Sequence, residues 1–189
     1  MNIISNTCLG AYIYRDILKT EFKNPFIWTF IRPKHFLTLL ENYESLNFSN
    51  IHLEKRTDVL NEFKLIIDNK LEIECWHMVL DPKSKTPKSP DNRAIYYYKI
   101  QDYIINNYQK RLNRMTAENN IPTICCERFD DYINELIKIC YQKKYKLLLF
   151  TNKITEINNN NLLVLNYKCV DDPRILANTF SDKIKNFLI

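Results

Sequence analysis

Glycine is nearly missing from this chain. Gly10 is the only one in 189 residues, where ordinary usage of roughly 7% would supply about a dozen. That scarcity excludes the glycine-rich phosphate loops of dinucleotide and P-loop sites, which need several glycines for close backbone approach. No apolar run approaches the roughly 18 residues of a membrane-spanning helix. The opening Met1-Asn2-Ile3-Ile4 has no basic lead and no long apolar stretch, so no secretory signal is expected. The six cysteines are irregularly spaced, with no C-x-x-C and no H-x-x-x-H. Neither a structural metal nor a disulfide framework is expected, and no cofactor. Reduced thiols in a cytoplasmic protein are the expectation, in the host cytoplasm if the chain is viral.

What is present is a foldable chain. Its hydrophobic content is 46%, normal for a domain with a core. The bias toward Asn, Ile, Lys and Tyr points to an AT-rich genome, such as that of a giant virus or a low-GC bacterium. The net charge is +5, which permits attraction to phosphates or acidic sugars without requiring it. Its basic clusters (Lys83-Ser84-Lys85, Lys110-Arg111 with Arg114, Lys143-Lys144 with Lys146) are scattered along the chain. They read as solvated faces, and no nucleic-acid motif accompanies them.

Hydrophobic patterning gives alternating strands and helices. Asn2 to Ser5 reads as a buried strand and Leu9 to Lys19 as a helix. Asn24 to Ile31, "NPFIWTFI", reads as a second strand, followed by a helix entered through Pro33. Phe63 to Ile67 and Leu71 to Val79 read as strands joined by a turn at Asp68-Asn69, where positive φ is tolerated. Residues 81–93, "DPKSKTPKSPDNR", hold three of the seven prolines and read as a mobile surface loop, long enough to serve as a lid. A long helix from about Ala94 to Ala117 follows. Ile121 to Cys126 is then a strand and Asp130 to Lys143 a helix. Tyr145 to Asn152 and Asn161 to Lys168 are further strands. A short last helix, Asp182 to Leu188, is capped by Ser181. The expected fold is a single α/β domain over 1–189, a layered α/β/α arrangement with a mixed sheet, and with one hairpin midway along the chain.

The chemistry concentrates at "SNTCLG", Ser5 to Gly10. Cys8 falls in the turn between a strand and a helix, where unpaired N–H groups and the helix dipole favour a thiolate and could hold an oxyanion. Asn-x-Cys-x-Gly echoes a nucleophile elbow, in which small residues flank the nucleophile because strand and helix crowd together. A cysteine that simply packs, with Gly10 giving close approach, is the competing interpretation. Among the three histidines, His35 and His52 read as solvent-facing or locally satisfied. His77 lies on the Ile73 and Val79 face of its strand, just before the loop, and is the candidate base. Asp81, Asp91 and Asn92 are candidates to orient it. Arg111 and Arg114 share a helix face and are candidates to clamp an anionic ligand.

The stretches "IISNTCLGAYIYRDI" and "NPFIWTFIRPKHFLTLLENYESL" resemble an uncharacterised bacterial and viral family. Its members open with Ile-Ile-Ser-Asn-Asn-Cys-x-Gly-Gly and are often labelled exopolysaccharide-biosynthesis proteins. Asn6, Cys8, Gly10, Ile13 and Tyr14 match, while Ala11 stands at the second family glycine. "LEIECWHMVLD" and "YQKRLNRM" resemble divergent forms of two later family motifs, with His77 on a family histidine. "NPFIWTFI" is also similar to a family described as papain-like cysteine peptidases, with Ile27 in place of its Asp. Both resemblances imply Cys8 and His77 as functional residues, with Asn6 and Gly10 shaping the ligand site. The expected function is a cysteine-dependent hydrolase or acyltransferase linked to surface-polysaccharide metabolism, acting on a small-molecule, glycan or peptide substrate. The alternative is a non-catalytic sugar- or phosphate-binding module gripping its ligand through Arg111 and Arg114.

Overall fold

The computed structural model describes residues 2–21, 26–27, 29–47, 49–55, 63–74, 101–116, 121–167 and 172–189. Strand β1 (Ile3–Ser5) is wholly buried. It leads through a three-residue turn into α1 (Leu9–Tyr12), which continues as a π-helical turn over Ile13–Leu18. The expected single helix thus changes pitch, and it ends where Lys19 turns left-handed at φ 53°. Tyr14 on the π turn reaches back to the strand, where its Oη accepts the Ile3 N–H at 2.8 Å. Helix α2 (Pro33–Asn42) begins at Pro33, whose missing N–H costs nothing in a first turn.

The central sheet has the order β1-β5-β6-β8-β7, where β5 is Thr123–Glu127, β6 Lys146–Phe150, β7 Ile157–Asn158 and β8 Leu162–Leu165. β1, β5, β6 and β8 are parallel and β7 alone is antiparallel, so the sheet is mixed. Buried strands of a parallel sheet read as continuous apolar runs because both faces are covered, and "KLLLF" and "LLVL" show this. One face carries Ile4, Ile124, Cys126, Leu147, Leu149 and Val164. It packs under α2, α3 (Gln101–Thr116) and α4 (Ile133–Lys143). The opposite face carries Ile3, Cys125, Leu148, Phe150, Leu163 and Leu165, and packs under α1, α5 (Pro173–Thr179) and α6 (Ser181–Leu188). Adjacent Cys125 and Cys126 therefore enter different cores, as a strand's twofold period requires. The result is an α/β fold of three layers.

The expected hairpin is present, in a sheet of its own. β3 (Phe63–Ile67) and β4 (Leu71–Glu74) join with β2 (Ile51–Lys55) in a separate three-stranded antiparallel sheet, order β2-β3-β4. Asp68 and Asn69 are both left-handed, at φ 54° and 53°, the conformation this turn needs. β2 was not foreseen: "IHLEK" alternates apolar and polar but holds only two apolar residues, Ile51 and Leu53. The strand expected over 24–31 is also not observed among its described residues. Phe26 and Ile27 form a turn, and Phe30 makes only an isolated bridge to Glu74. Phe26 fills the first core and Ile27 the second, so these apolar residues plug two cores instead of extending a ladder. At the end of the chain Ser181 is the first residue of α6 and caps nothing, and α5 before it was unforeseen. No helix among the described residues is long and apolar enough to cross a membrane. The expected loop at 81–93 lies outside the described residues.

Candidate functional site

In an open parallel sheet, the strands' carboxyl ends point their loops to one side, and ligands bind there. Asn6-Thr7-Cys8 follows β1 on that side, and Glu127 ends the neighbouring β5. These two segments, far apart in sequence, form one hydrogen-bonded unit. Asn6 Nδ2 donates to the Glu127 carbonyl at 2.9 Å, and the Glu127 N–H donates to Asn6 Oδ1 at 3.2 Å. The Asn6 amide thereby extends the parallel ladder by one rung made of a side chain. Its own carbonyl accepts the Ile31 N–H at 2.8 Å. Asn6 is 1% exposed, so its place is under the turn.

Thr7 completes the link. Its Oγ1 accepts the Leu9 N–H at 3.2 Å and donates to Glu127 Oε1 at 2.5 Å. The other carboxyl oxygen, Oε2, is buried and has no hydrogen-bond partner among the described residues. Glu127 is fully buried, and burial, opposed by the Thr7 bond, raises its carboxyl above the usual carboxylate value. Ser5 Oγ accepts the N–H groups of Gly10 at 3.3 Å and Thr7 at 3.4 Å.

Cys8 sits at the N-cap of α1 in a helical conformation, φ −66°. It is half-buried, while the other described cysteines, Cys125, Cys126 and Cys140, are buried. Its environment differs from the expected thiolate site. The N–H groups of Leu9 and Gly10 already donate to Thr7 and Ser5. Burial, and then the negative charge of nearby Glu127, pushes the Cys8 thiol up to about 11. Desolvation here outweighs the field of a short helix. Cys8 therefore rests as a neutral thiol at physiological pH. Its chemistry would need a proton acceptor.

Gly10 has the geometric role its isolation suggested. A Cβ there would stand 2.7 Å from Ser5 Cβ and 3.0 Å from Ile27 Cδ1, closer than carbon atoms approach. Among the histidines, His35 Nδ1 accepts the Glu72 N–H at 3.4 Å and His52 Nε2 lies 3.0 Å from Glu54. His52 is partnered within its own strand, as expected, whereas the partner of His35 stands on β4, 37 positions away. His77 lies outside the described residues. Arg111 occupies a half-buried position on α3. Arg114 is on the same helix, and its side chain lies outside the description.

Along the same sheet edge is a cleft of about 280 Å³, lined by Pro33, Arg128, Asp130, Asp131, Tyr132, Asn152 and Tyr167. These residues follow β5, β6 and β8 and begin α2. Asp130 is held by Thr151, whose Oγ1 donates to its Oδ1 at 2.5 Å. Sequence reasoning missed this cleft and Glu127, because each depends on which strand ends the topology brings together. The one local signal was a Glu closing a buried apolar strand, Glu127 after "TICC". No group of three or more His, Cys, Asp and Glu among the described residues is arranged to hold a metal.

No curated protein matches the chain. Over residues 1–181 the sequence matches a family described as a domain of unknown function, DUF1919, and the chain belongs to that family.

Proposed function

We propose that the chain is a cysteine-dependent acyl-transfer or hydrolytic enzyme with Cys8 as nucleophile. The observation that carries this reading is the placement of Cys8. It is the one described cysteine that is not buried, and it stands at the carboxyl end of an edge strand of a parallel sheet. A turn fully tied to β5 holds it there. Attack on an ester, thioester or amide carbonyl would give an acyl-enzyme, which water or an acceptor hydroxyl then discharges. The family resemblance supports a glycan precursor or peptide as the acyl carrier. A thiol held near 11 is less than about 0.1% ionised at neutral pH. The reading thus requires a proton acceptor, for which His77 is proposed from the sequence and Glu127 from the fold. Incubation of the full chain with p-nitrophenyl acetate should acylate Cys8, located by peptide mass spectrometry, and Cys8→Ser should abolish the product release. Equal release by Cys8→Ser would overturn the reading.

The cleft favours a second reading, a binding module for a sugar or sugar phosphate. Two tyrosines offer aromatic faces, while Asp130, Asp131 and Asn152 offer hydrogen-bonding groups and Arg128 a cation. Calorimetric titration with maltose and with glucose 6-phosphate tests it. Binding that survives Cys8→Ser and weakens in Asn152→Ala supports a non-catalytic module. No heat with either ligand counts against it.

A further inference from the structure

We propose that Glu127 Oε2 takes the proton from Cys8 Sγ as the thiol attacks, and returns it to the leaving group. This rests on the reading of Cys8 as nucleophile. Three observations lead to Glu127. Its Oε2 is buried without a hydrogen-bond partner among the described residues, an arrangement that costs stability in a structure with no use for it. Its Oε1 and backbone are pinned by Thr7 and Asn6, the two residues preceding Cys8, so the open oxygen is held in a fixed relation to the turn. Its charge is the second cause, after burial, that holds the Cys8 thiol up.

The chemistry of the two groups is complementary. A thiol that is hard to ionise needs help, and a carboxylate with raised basicity is a better acceptor than an exposed one. In the forward step the bond from Sγ to the acyl carbon forms and the bond from that carbon to the leaving group breaks. The proton moves from Sγ to Oε2 and then to the leaving group. In the second step Oε2 takes a proton from water or an acceptor hydroxyl, the new oxygen bond to the acyl carbon forms, and Cys8 leaves as its thiol. No oxidant or metal is needed for the balance. Glu127 is fully buried in the resting chain, so the leaving group and the attacking hydroxyl meet Oε2 only when bound substrate stands against Cys8.

The test follows acylation of Cys8 by p-nitrophenyl acetate in the full chain, with circular dichroism to check folding. Glu127→Gln keeps an oxygen for Thr7 but removes the basic site. It should slow acylation by about 10²–10⁴-fold at neutral pH, with Glu127→Asp restoring part of the rate. The wild-type rate should level off well below the thiol's own value of about 11, and remain level in His77→Gln. If Glu127→Gln does not fold, the plateau in His77→Gln decides: its persistence supports the proposal. A rate rising tenfold per pH unit up to the thiol value overturns it, as does wild-type acylation by Glu127→Gln. If Cys8 is not acylated in the wild type, the nucleophile reading and this proposal fall together. Acylation that is indifferent to Glu127 sinks only the proposal.

Discussion

Gly10 lies so close to Ser5 that an added Cβ would stand 2.7 Å from the serine's own Cβ. The serine is fixed in β1, so it cannot swing aside. The Gly10 N–H meanwhile donates to Ser5 Oγ. Gly10→Ala should destabilise the chain by about 1–3 kcal/mol through overpacking. The helix-propensity gain of at most about 1 kcal/mol leaves the sign unchanged. Thermal denaturation reads the loss. In a Ser5→Gly background the contact with the serine is gone and that with Ile27 Cδ1 remains, so the same substitution should cost less, and simple additivity would count against this account.

Thr7 is the one hydrogen-bond donor to the Glu127 carboxyl among the described residues. Thr7→Val keeps the shape but removes this donor and the acceptor for the Leu9 N–H. Stability should fall by about 1–3 kcal/mol, the cost of leaving a buried polar group unmet. Urea unfolding measures it. A neutral result would count against Thr7 as the support of the Glu127 carboxyl.

Glu127 makes stability depend on pH in a defined direction. Its folded value is raised above 4.5, chiefly by burial. The folded protein therefore binds this proton more tightly than the unfolded chain. The contribution is complete below about pH 4.5 and is lost as pH rises through the folded value. Relative to Glu127→Gln, the wild type should lose stability over that window. Parallel unfolding curves for the two proteins across the range would contradict the assignment.

Cys8 supplies a second titration. Its thiolate absorbance, taken as wild type minus Cys8→Ser, should have a midpoint near 11. Glu127→Gln should lower that midpoint, because the carboxylate's repulsion is removed. Burial is the larger cause, so the midpoint should still lie above that of a free thiol.

Arg32 joins the two sheets. Its Nε donates to Glu74 Oε1 at 2.7 Å, and the Glu74 side chain is 8% exposed. The Glu74 backbone bridges Phe30, next to Ile31, which bonds Asn6. Arg32→Ala should cost about 1.5–3 kcal/mol, the range for hydrogen bonds to charged groups. It should speed amide exchange in β4 ahead of β5 and β6. Uniform exchange across both sheets would show that the bridge is not the link.

The fold was legible wherever local pattern and burial agree. Continuous apolar runs marked β6 and β8 because both faces of that sheet are covered. Asp68-Asn69 marked the hairpin because few residues tolerate positive φ. Residues 24–31 misled because aromatic and branched residues are equally at home in a strand and in a segment that plugs two cores. β2 was missed because its alternation rests on two apolar residues alone, Ile51 and Leu53, and it is its pairing with β3 that makes it a strand.

The sequence by itself determined the turn. A lone glycine two residues after a cysteine, between a strand and a helix, demanded close approach, and Gly10 against Ser5 supplies it. What surrounds the cysteine was decided by tertiary structure alone. Thr7 and Glu127 are 120 positions apart, and only the parallel pairing of β1 with β5 brings their side chains together. Burial then reverses the expected electrostatics of Cys8, because the desolvation of a charge depends on everything packed around it and not on its neighbours in the chain.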